Sequence, residues 1–178
     1  MKETRGQGAA WSRIETSLGA FHAAALDGAL VQTALPSTSQ EDFVAALASR
    51  FPAASFRRDD ADPVLRRAAT QLQEYGAGKR RDFDLPLRLE GTAFQTKVWH
   101  ALAAIPFGAT RSYQDIAREI GRPGASRAVG QANHHNPLAP IVPCHRVVNS
   151  SGGLGGYGGG MALKKTLLAH EGVEFGDV

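Results

Sequence analysis

The run SYQDIAREIGRPGASRAVGQAN, Ser112 to Asn133, divides into two short helices around a turn. Ser112 opens Ser-Tyr-Gln-Asp, a capping-box-like start in which the shorter Asp115 stands where Glu or Gln is usual. Ile116, Ala117 and Ile120 recur at helical spacing and supply a stripe to bury. Gly121-Arg122-Pro123-Gly124 is a turn, and Ala125–Asn133 predicts a second helix. Helix, tight turn, helix is the outline of a helix-turn-helix. The second helix holds Ala125, Ser126, Ala128, Gly130 and Ala132, with Arg127 as the long side chain near its start. A base-reading helix would present Arg, Asn or Gln at several positions. Small residues let a backbone approach DNA closely, and one protruding arginine can enter the base stack, which fits sequence-tolerant docking. Small residues also suit tight helix–helix packing, and this segment alone leaves both readings open.

Downstream lies Ile141-Val142-Pro143-Cys144-His145-Arg146-Val147-Val148, which carries the chain's only cysteine. A free cysteine is ordinarily a small core hydrophobe. Here its neighbours argue for chemistry. Proline fixes the backbone before it, and His145 and Arg146 follow it as groups able to favour a thiolate. A thiol of pKa about 8.5 is only a few per cent ionised at neutral pH, so reactivity needs such help. The glycine-rich run Gly152–Gly160 follows soon after. It is too glycine-dense for a core strand and resembles a backbone wall against a flat ligand. It lacks the lysine and helix of a phosphate-binding loop.

Upstream of Glu90 no catalytic constellation is evident. Trp11–Thr16, Gly19–Ala25 and Ala29–Leu35 read as strands, with Asp27-Gly28 as a hairpin signal. A helix is predicted from Gln40 to Arg50. Another begins at Pro63 with Asp62 as its cap, and Phe83–Leu89 alternates as a further strand. Thr92 caps a helix running through Val98 and Trp99 to Ile105. The domain expectation is therefore 1–90, a small α/β domain with linker, and 91–178, a mainly α domain containing the helix-turn-helix. Residues 1–90 hold 12 Lys/Arg and 12 Asp/Glu, residues 91–178 hold 8 and 5, so the whole net charge of +3 sits in the second half. That suits a modest nucleic-acid-binding half, although charge alone does not separate this from chance. No stretch approaches the roughly 20 apolar residues of a membrane helix. Met1–Arg13 has no apolar run of the signal-peptide kind. One cysteine forms no intramolecular disulfide, and with scattered histidines it makes no zinc site of the usual spacing. The expectation is a cytoplasmic protein with no membrane partner and no metal.

The run Pro143-Cys144-His145-Arg146-Val147-Val148, followed by Gly-x-Leu-x-Gly-Tyr-x-Gly-Gly, resembles the O6-alkylguanine-DNA alkyltransferase family. The resemblance extends from about Gly91 to Gly172, through Phe94-Gln95, Val98-Trp99, Ser112-Tyr113, Ser126-Arg127-Ala128-Val129-Gly130, Asn136-Pro137 and Leu167-Leu168-Ala169-His170-Glu171-Gly172. It implies a ribonuclease-H-like sheet with helices in the first domain and a winged-helix-like second domain. It also implies direct, irreversible, single-turnover transfer of the alkyl group from O6-alkylguanine, and by extension O4-alkylthymine, to Cys144 after nucleotide flipping. The implied partner is double-stranded DNA carrying O6-alkylguanine, met by a monomer whose cooperativity on DNA stays open. No cofactor is implied.

Carried over residue by residue, Cys144 is the acceptor. His145 takes its proton through a water, and Glu171 orients and charge-stabilises His145. Asn136 braces the cysteine segment, and Tyr113 donates a hydrogen bond to the guanine. Arg127 fills the vacated stack. The carbonyls of Cys144 and Val147 and the amide of Gly158 read the guanine edge, with Tyr157 lining the pocket. Gln95, Gln114, Arg122 and Ser150 match positions near the DNA backbone. Gly158 stands where other members can carry serine or alanine, which leaves the preferred alkyl size open. The competing readings are lesion recognition without transfer, a cysteine hydrolase and a plain helix-turn-helix regulator. Recognition without transfer does not need Cys144, and the other two leave Arg127 or the Cys-His-Glu set without a purpose.

Overall fold

The structure, a computed structural model, describes residues 8–174; the outer ends of both domain ranges, 1–7 and 175–178, lie outside it. The chain divides after Arg88 into two compact units.

The first unit begins with β1 (Ala9–Thr16), β2 (Gly19–Leu26) and β3 (Ala29–Ala34). β1 and β2 are antiparallel, in register from Ala9↔Leu26 to Thr16↔Gly19. Asp27 and Gly28 both take positive φ, 51° and 81°, the pair that a two-residue hairpin between twisted strands requires. After α1 (Gln40–Arg50) the chain adds β4 (Arg57–Arg58), parallel to β1, giving the order β3-β2-β1-β4. Alternation along β1 then sorts the two faces. Trp11 joins Ala24, Val31, Phe43, Leu47 and Phe51 in the core that α1 covers. α2 (Pro63–Gly76) packs on β1 and β2 and buries Leu65, Ala68, Leu72 and Tyr75, a helical stripe. Asp62 caps α2 by accepting from the amides of Val64 and Leu65.

His22 is the anomaly of this core. It is 4% exposed, stacks on Phe43 at 5.2 Å, and neither ring nitrogen has a hydrogen-bond partner among the described residues. Burial, then the nearby Arg13 charge, hold its pKa below the ordinary value.

Phe83–Leu89 corrects the sequence expectation, for it forms no strand. Leu87 makes only an isolated bridge to Leu30. The backbone of Asp84 is captured instead by α2: Gln71 accepts from its amide, and Gln71 and Arg67 donate to its carbonyl. Pro86 has no N–H to give a ladder.

The second unit is helical. α3 (Ala93–Ala103) starts at a capping box in which Thr92 and Gln95 bond each other's backbone amides. β5 (Arg111–Ser112) leads directly into α4 (Tyr113–Glu119), and α5 (Ser126–His134) follows the turn. Ser112 and Asp115 form the capping box at the start of α4. Trp99 ties α3 to α5 by donating to the Ala132 carbonyl at 2.8 Å, and Val129 and Ala132 turn inward while Arg127 stays exposed. A short 3-10 turn (Cys144–Arg146) precedes β6 (Val147–Val148), which pairs parallel with β5. α6 (Met161–His170) closes the unit with Lys164, Leu167 and Leu168 buried. β4, β5 and β6 have no counterpart in the sequence pattern, because two-residue strands are too short for a period to show. Among the described residues no helix is long and apolar enough to cross a membrane.

Candidate active site

The β5–β6 pairing sets Ser112 opposite Val148, so the start of α4 lies beside the cysteine segment. A cleft of about 810 Å³ opens there, lined by Tyr113, Gln114, Arg127, Ser150, Tyr157 and Gly158. Gln131, Asn133, His134 and Asn149, which the sequence reading did not single out, line it too. Arg122 is exposed in the turn and does not line the cleft. Gln95 is also absent from the lining, and its Oε1 is committed to the cap of α3.

Cys144 lies behind this lining, 4% exposed. Asn133 donates to its carbonyl at 3.3 Å. Asn136 donates to the Val142 carbonyl at 2.7 Å and accepts from the Leu138 amide at 3.0 Å, which fixes the turn leading into Pro143. Burial pushes the Cys144 thiol up; Asn136, the charge of Lys164 and Tyr157 work against that rise. The resting sulfur is therefore a neutral thiol with thiolate-stabilising groups around it.

His145 is fully buried, and its Nε2 lies 2.7 Å from Glu171 Oε1. A carboxylate only accepts, so Nε2 carries the hydrogen and Nδ1 is left as the basic nitrogen. Nδ1 has no hydrogen-bond partner among the described residues. Burial, together with the Arg146 and Lys164 charges, lowers the His145 pKa against the hydrogen bond and charge of Glu171, so the ring is neutral at physiological pH.

Arg146, expected from its place in the sequence to favour the thiolate, is committed elsewhere: Nε and Nη2 both donate to Glu171, at 2.8 and 3.0 Å, and Nη1 donates to the Ile105 carbonyl. Glu171 is thus held by His145, by the Arg146 fork and by the Gly108 amide at 3.2 Å. The cation whose charge acts on the sulfur is Lys164. It is fully buried and donates to the carbonyls of Val147 at 2.6 Å, Leu154, and Gly156 at 3.2 Å. Desolvation lowers its pKa to about 8 against the raising effect of Cys144. One ammonium thereby pins the glycine-rich loop to β6 and brings positive charge near the thiol. A signal existed: Lys164, Leu167 and Leu168 share one helical stripe, and a lysine on a buried stripe must find partners.

The loop itself packs against Tyr113. Gly155 has φ +70°, and a Cβ there would come within 2.9 Å of the Tyr113 ring and hydroxyl. The Tyr113 hydroxyl donates to the Gly156 carbonyl at 3.4 Å. Burial and then the Cys144 charge raise its pKa, so it stays a donor at neutral pH. Among the described residues no cluster of three or more His, Cys, Asp or Glu could hold a metal ion.

A solved structure of Mycobacterium tuberculosis OGT in complex with DNA superposes on this chain with a TM-score of 0.77 at 42% identity, covering 91% of this chain and 92% of the other. The chain belongs to the O6-methylguanine-DNA methyltransferase family. The family profile described as "6-O-methylguanine DNA methyltransferase, DNA binding domain" matches residues 93–173. The methylated-DNA–protein-cysteine methyltransferase of Mycolicibacterium paratuberculosis is 59% identical over 104 residues, 58% of this chain. That match spans 63% of the relative, short of two thirds of its length. The Methanosarcina acetivorans methyltransferase is 54% identical over 111 residues, 62% of this chain and 71% of its own length. The O6-methylguanine-DNA methyltransferase of Pyrococcus kodakaraensis retains the fold at 25% identity, with a TM-score of 0.65 over 93% of this chain and 99% of the other. Within the methyltransferase family, then, this chain joins a mixed-sheet unit to a helical unit that holds the candidate site.

Proposed function

We propose that this chain repairs DNA by moving the alkyl group of O6-alkylguanine, and of O4-alkylthymine, onto Cys144, acting as a methylated-DNA–[protein]-cysteine S-methyltransferase. The observation that carries the reading is the buried thiol behind an open cleft, with Asn136, Lys164 and Tyr157 favouring its thiolate and a neutral His145 held by Glu171. The lesion is stacked inside a duplex, so the nucleotide is extruded into the cleft, at a cost of a few kcal/mol. Arg127 on α5 fills the stack. His145 Nδ1, directly or through a water, takes the thiol proton, and Glu171 compensates the imidazolium. The thiolate attacks the alkyl carbon; a C–S bond forms, the C–O6 bond breaks, and the electron pair leaves on the guanine. Tyr113 donates to that guanine as it departs. Val147 and Cys144 carbonyls and the Gly158 amide read its edge, and Gln114, Ser150, Gln95 and Arg122 serve the DNA backbone. No step restores Cys144, so each molecule acts once and needs no cofactor.

The working unit in this reading is a cytoplasmic monomer on double-stranded DNA, with a ribonuclease-H-like first unit and a winged-helix-like second. The test is intact-protein mass spectrometry after mixing the chain with a duplex containing one O6-methylguanine, with Cys144→Ala as control. A stoichiometric gain of one methyl group, mapped to Cys144 and without turnover, is the expected result. Tight lesion binding with no mass change would replace transfer by recognition alone.

A further inference from the structure

The first unit carries a second built surface, far in sequence from Cys144. A groove of about 470 Å³ runs beside α2, lined by Arg66, Arg67, Thr70, Gln71 and Arg80 with Ala61 and Pro63 at one end. Three arginines line it, and none of the lining residues is acidic.

The groove is preorganised. Gln71 is buried and clamps Asp84 through both backbone groups, at 2.8 and 2.9 Å, which holds the chain after residue 80 against α2. Arg67 Nη2 donates to the Asp84 carbonyl at 2.7 Å and carboxylate at 3.3 Å. Arg80 Nε donates to Glu74 at 2.6 Å and its Nη1 to the Asp82 carbonyl at 3.0 Å. A guanidinium has five N–H donors, so each of these arginines keeps donors to spare after its orientation is set. Arg66, on the turn before Thr70, has no ion-pair or hydrogen-bonding side-chain partner among the described residues. Of the neighbouring carboxylates, Asp59 accepts from the Ala61 amide, Asp60 pairs with Arg58 and Asp62 caps α2, while Glu74 and Asp84 pair with Arg80 and Arg67, so Arg66 is the groove arginine that brings an uncompensated charge.

We infer that this groove binds a phosphate group, an anion whose oxygens take several guanidinium donors at once; the Thr70 hydroxyl already donates to the Arg66 carbonyl at 3.1 Å, so the arginines carry the recognition. Its occupant is a backbone phosphate of duplex DNA, an assignment that rests on the repair reading above. The first unit then adds sequence-independent, salt-sensitive affinity that the helix-turn-helix does not supply.

The experiment uses the full chain and an undamaged duplex, with affinity measured by fluorescence anisotropy across a salt series. Arg66→Gln/Arg80→Gln is expected to weaken binding about tenfold near 0.1 M salt and to flatten the slope of log K against log[salt] by about one to two. Arg66→Glu alone, which disturbs none of the bonds that clamp residues 80–84, is expected to weaken it at least as much as the loss of one contact. Arg13→Gln, a basic change outside the groove, should leave the slope unchanged. An unchanged slope in both groove variants, or an equal change in Arg13→Gln, overturns the inference. So does a groove that titrates with inorganic phosphate in amide spectra yet leaves duplex affinity untouched in the variants, which would make free phosphate the occupant. Single-turnover transfer from saturating O6-methylguanine duplex separates the two proposals. The groove variants should retain it, whereas its absence in the wild-type chain would sink the repair reading and not the groove.

Discussion

Glu171 is where charge balance and mechanism meet. Its buried carboxylate accepts from the buried His145 and Arg146 fork and from the Gly108 amide at the edge of the site. Glu171→Gln keeps the shape but leaves Arg146 as a buried charge without its counter-ion, a loss of about 3–5 kcal/mol by analogy with other broken buried pairs. It also frees the His145 tautomer, so transfer should slow by about 100-fold or more. Denaturant melts and single-turnover transfer read the two effects separately, and transfer within twofold of wild type would remove Glu171 from the proposed mechanism. Lys164 makes a different prediction. Because burial raises the Cys144 thiol, transfer should quicken as pH rises from neutral. Lys164, with a pKa of about 8, loses its charge over that range and blunts the gain. Lys164→Met removes the cation and its three carbonyl ties, so the expected outcome is slower transfer at pH 7 and a pH–rate profile displaced to the alkaline side. A profile that falls in rate without moving would assign Lys164 to the loop alone.

At the scale of elements, the glycine-rich loop holds two glycines with opposite reasons to exist. Gly155→Ala needs a left-handed alanine and drives a methyl group into Tyr113, so the loop or the ring must move. Transfer should drop at least tenfold while most of the fold's stability survives, read by single-turnover kinetics and thermal melts. Gly158 has no left-handed φ, and a Cβ there would meet only His134 Nδ1 at 3.8 Å. Gly158→Ala should fold normally and transfer methyl within about threefold of wild type, and an equal defect in both variants would argue that the loop tolerates no side chain anywhere. The helix starts were legible because they are local chemistry. Thr92 with Gln95, Ser112 with Asp115 and Asp62 before Pro63 each place donor and acceptor within three residues. Phe83–Leu89 misled because an alternating pattern reports which side chains suit a face, and says nothing of whether a helix side chain will take the backbone groups first.

For the molecule as a whole, acid should be the weak side. His22 and His145 both have lowered pKa values in the folded state. Unfolding lets each imidazole take a proton near its ordinary value of 6.5, so the unfolded state binds more protons and stability falls as pH drops below that value. On the alkaline side two buried groups oppose each other. Folded Lys164 gives up its proton from about 8, earlier than the unfolded side chain, so its contribution to stability rises with pH. Folded Cys144 keeps its proton longer than the unfolded thiol, so its contribution falls. Urea melts from pH 5 to 9.5 should therefore show a steep acid limb and a shallow alkaline one. His22→Phe, which keeps the ring packing against Phe43, should remove part of the acid limb without touching transfer. An unaltered acid limb would mean that His22 finds a proton acceptor on protonation.

Sequence alone determined what depends on near neighbours. It placed a histidine after the one cysteine and Asn136-Pro137 shortly before it, and wrote two short helices into 112–133, the second built of small residues with Arg127 near its start. Tertiary structure decided which charges face the sulfur. Arg146 and Glu171 lie 25 residues apart, Lys164 and the Val147 carbonyl 17. Adjacent Lys164 and Lys165 differ only by a step around the helix, yet one is buried and the other exposed. Local periodicity points to Lys164, which shares its stripe with Leu167 and Leu168, but it cannot name the partners, because those are carbonyl groups that the folded loop and β6 bring to one side of α6.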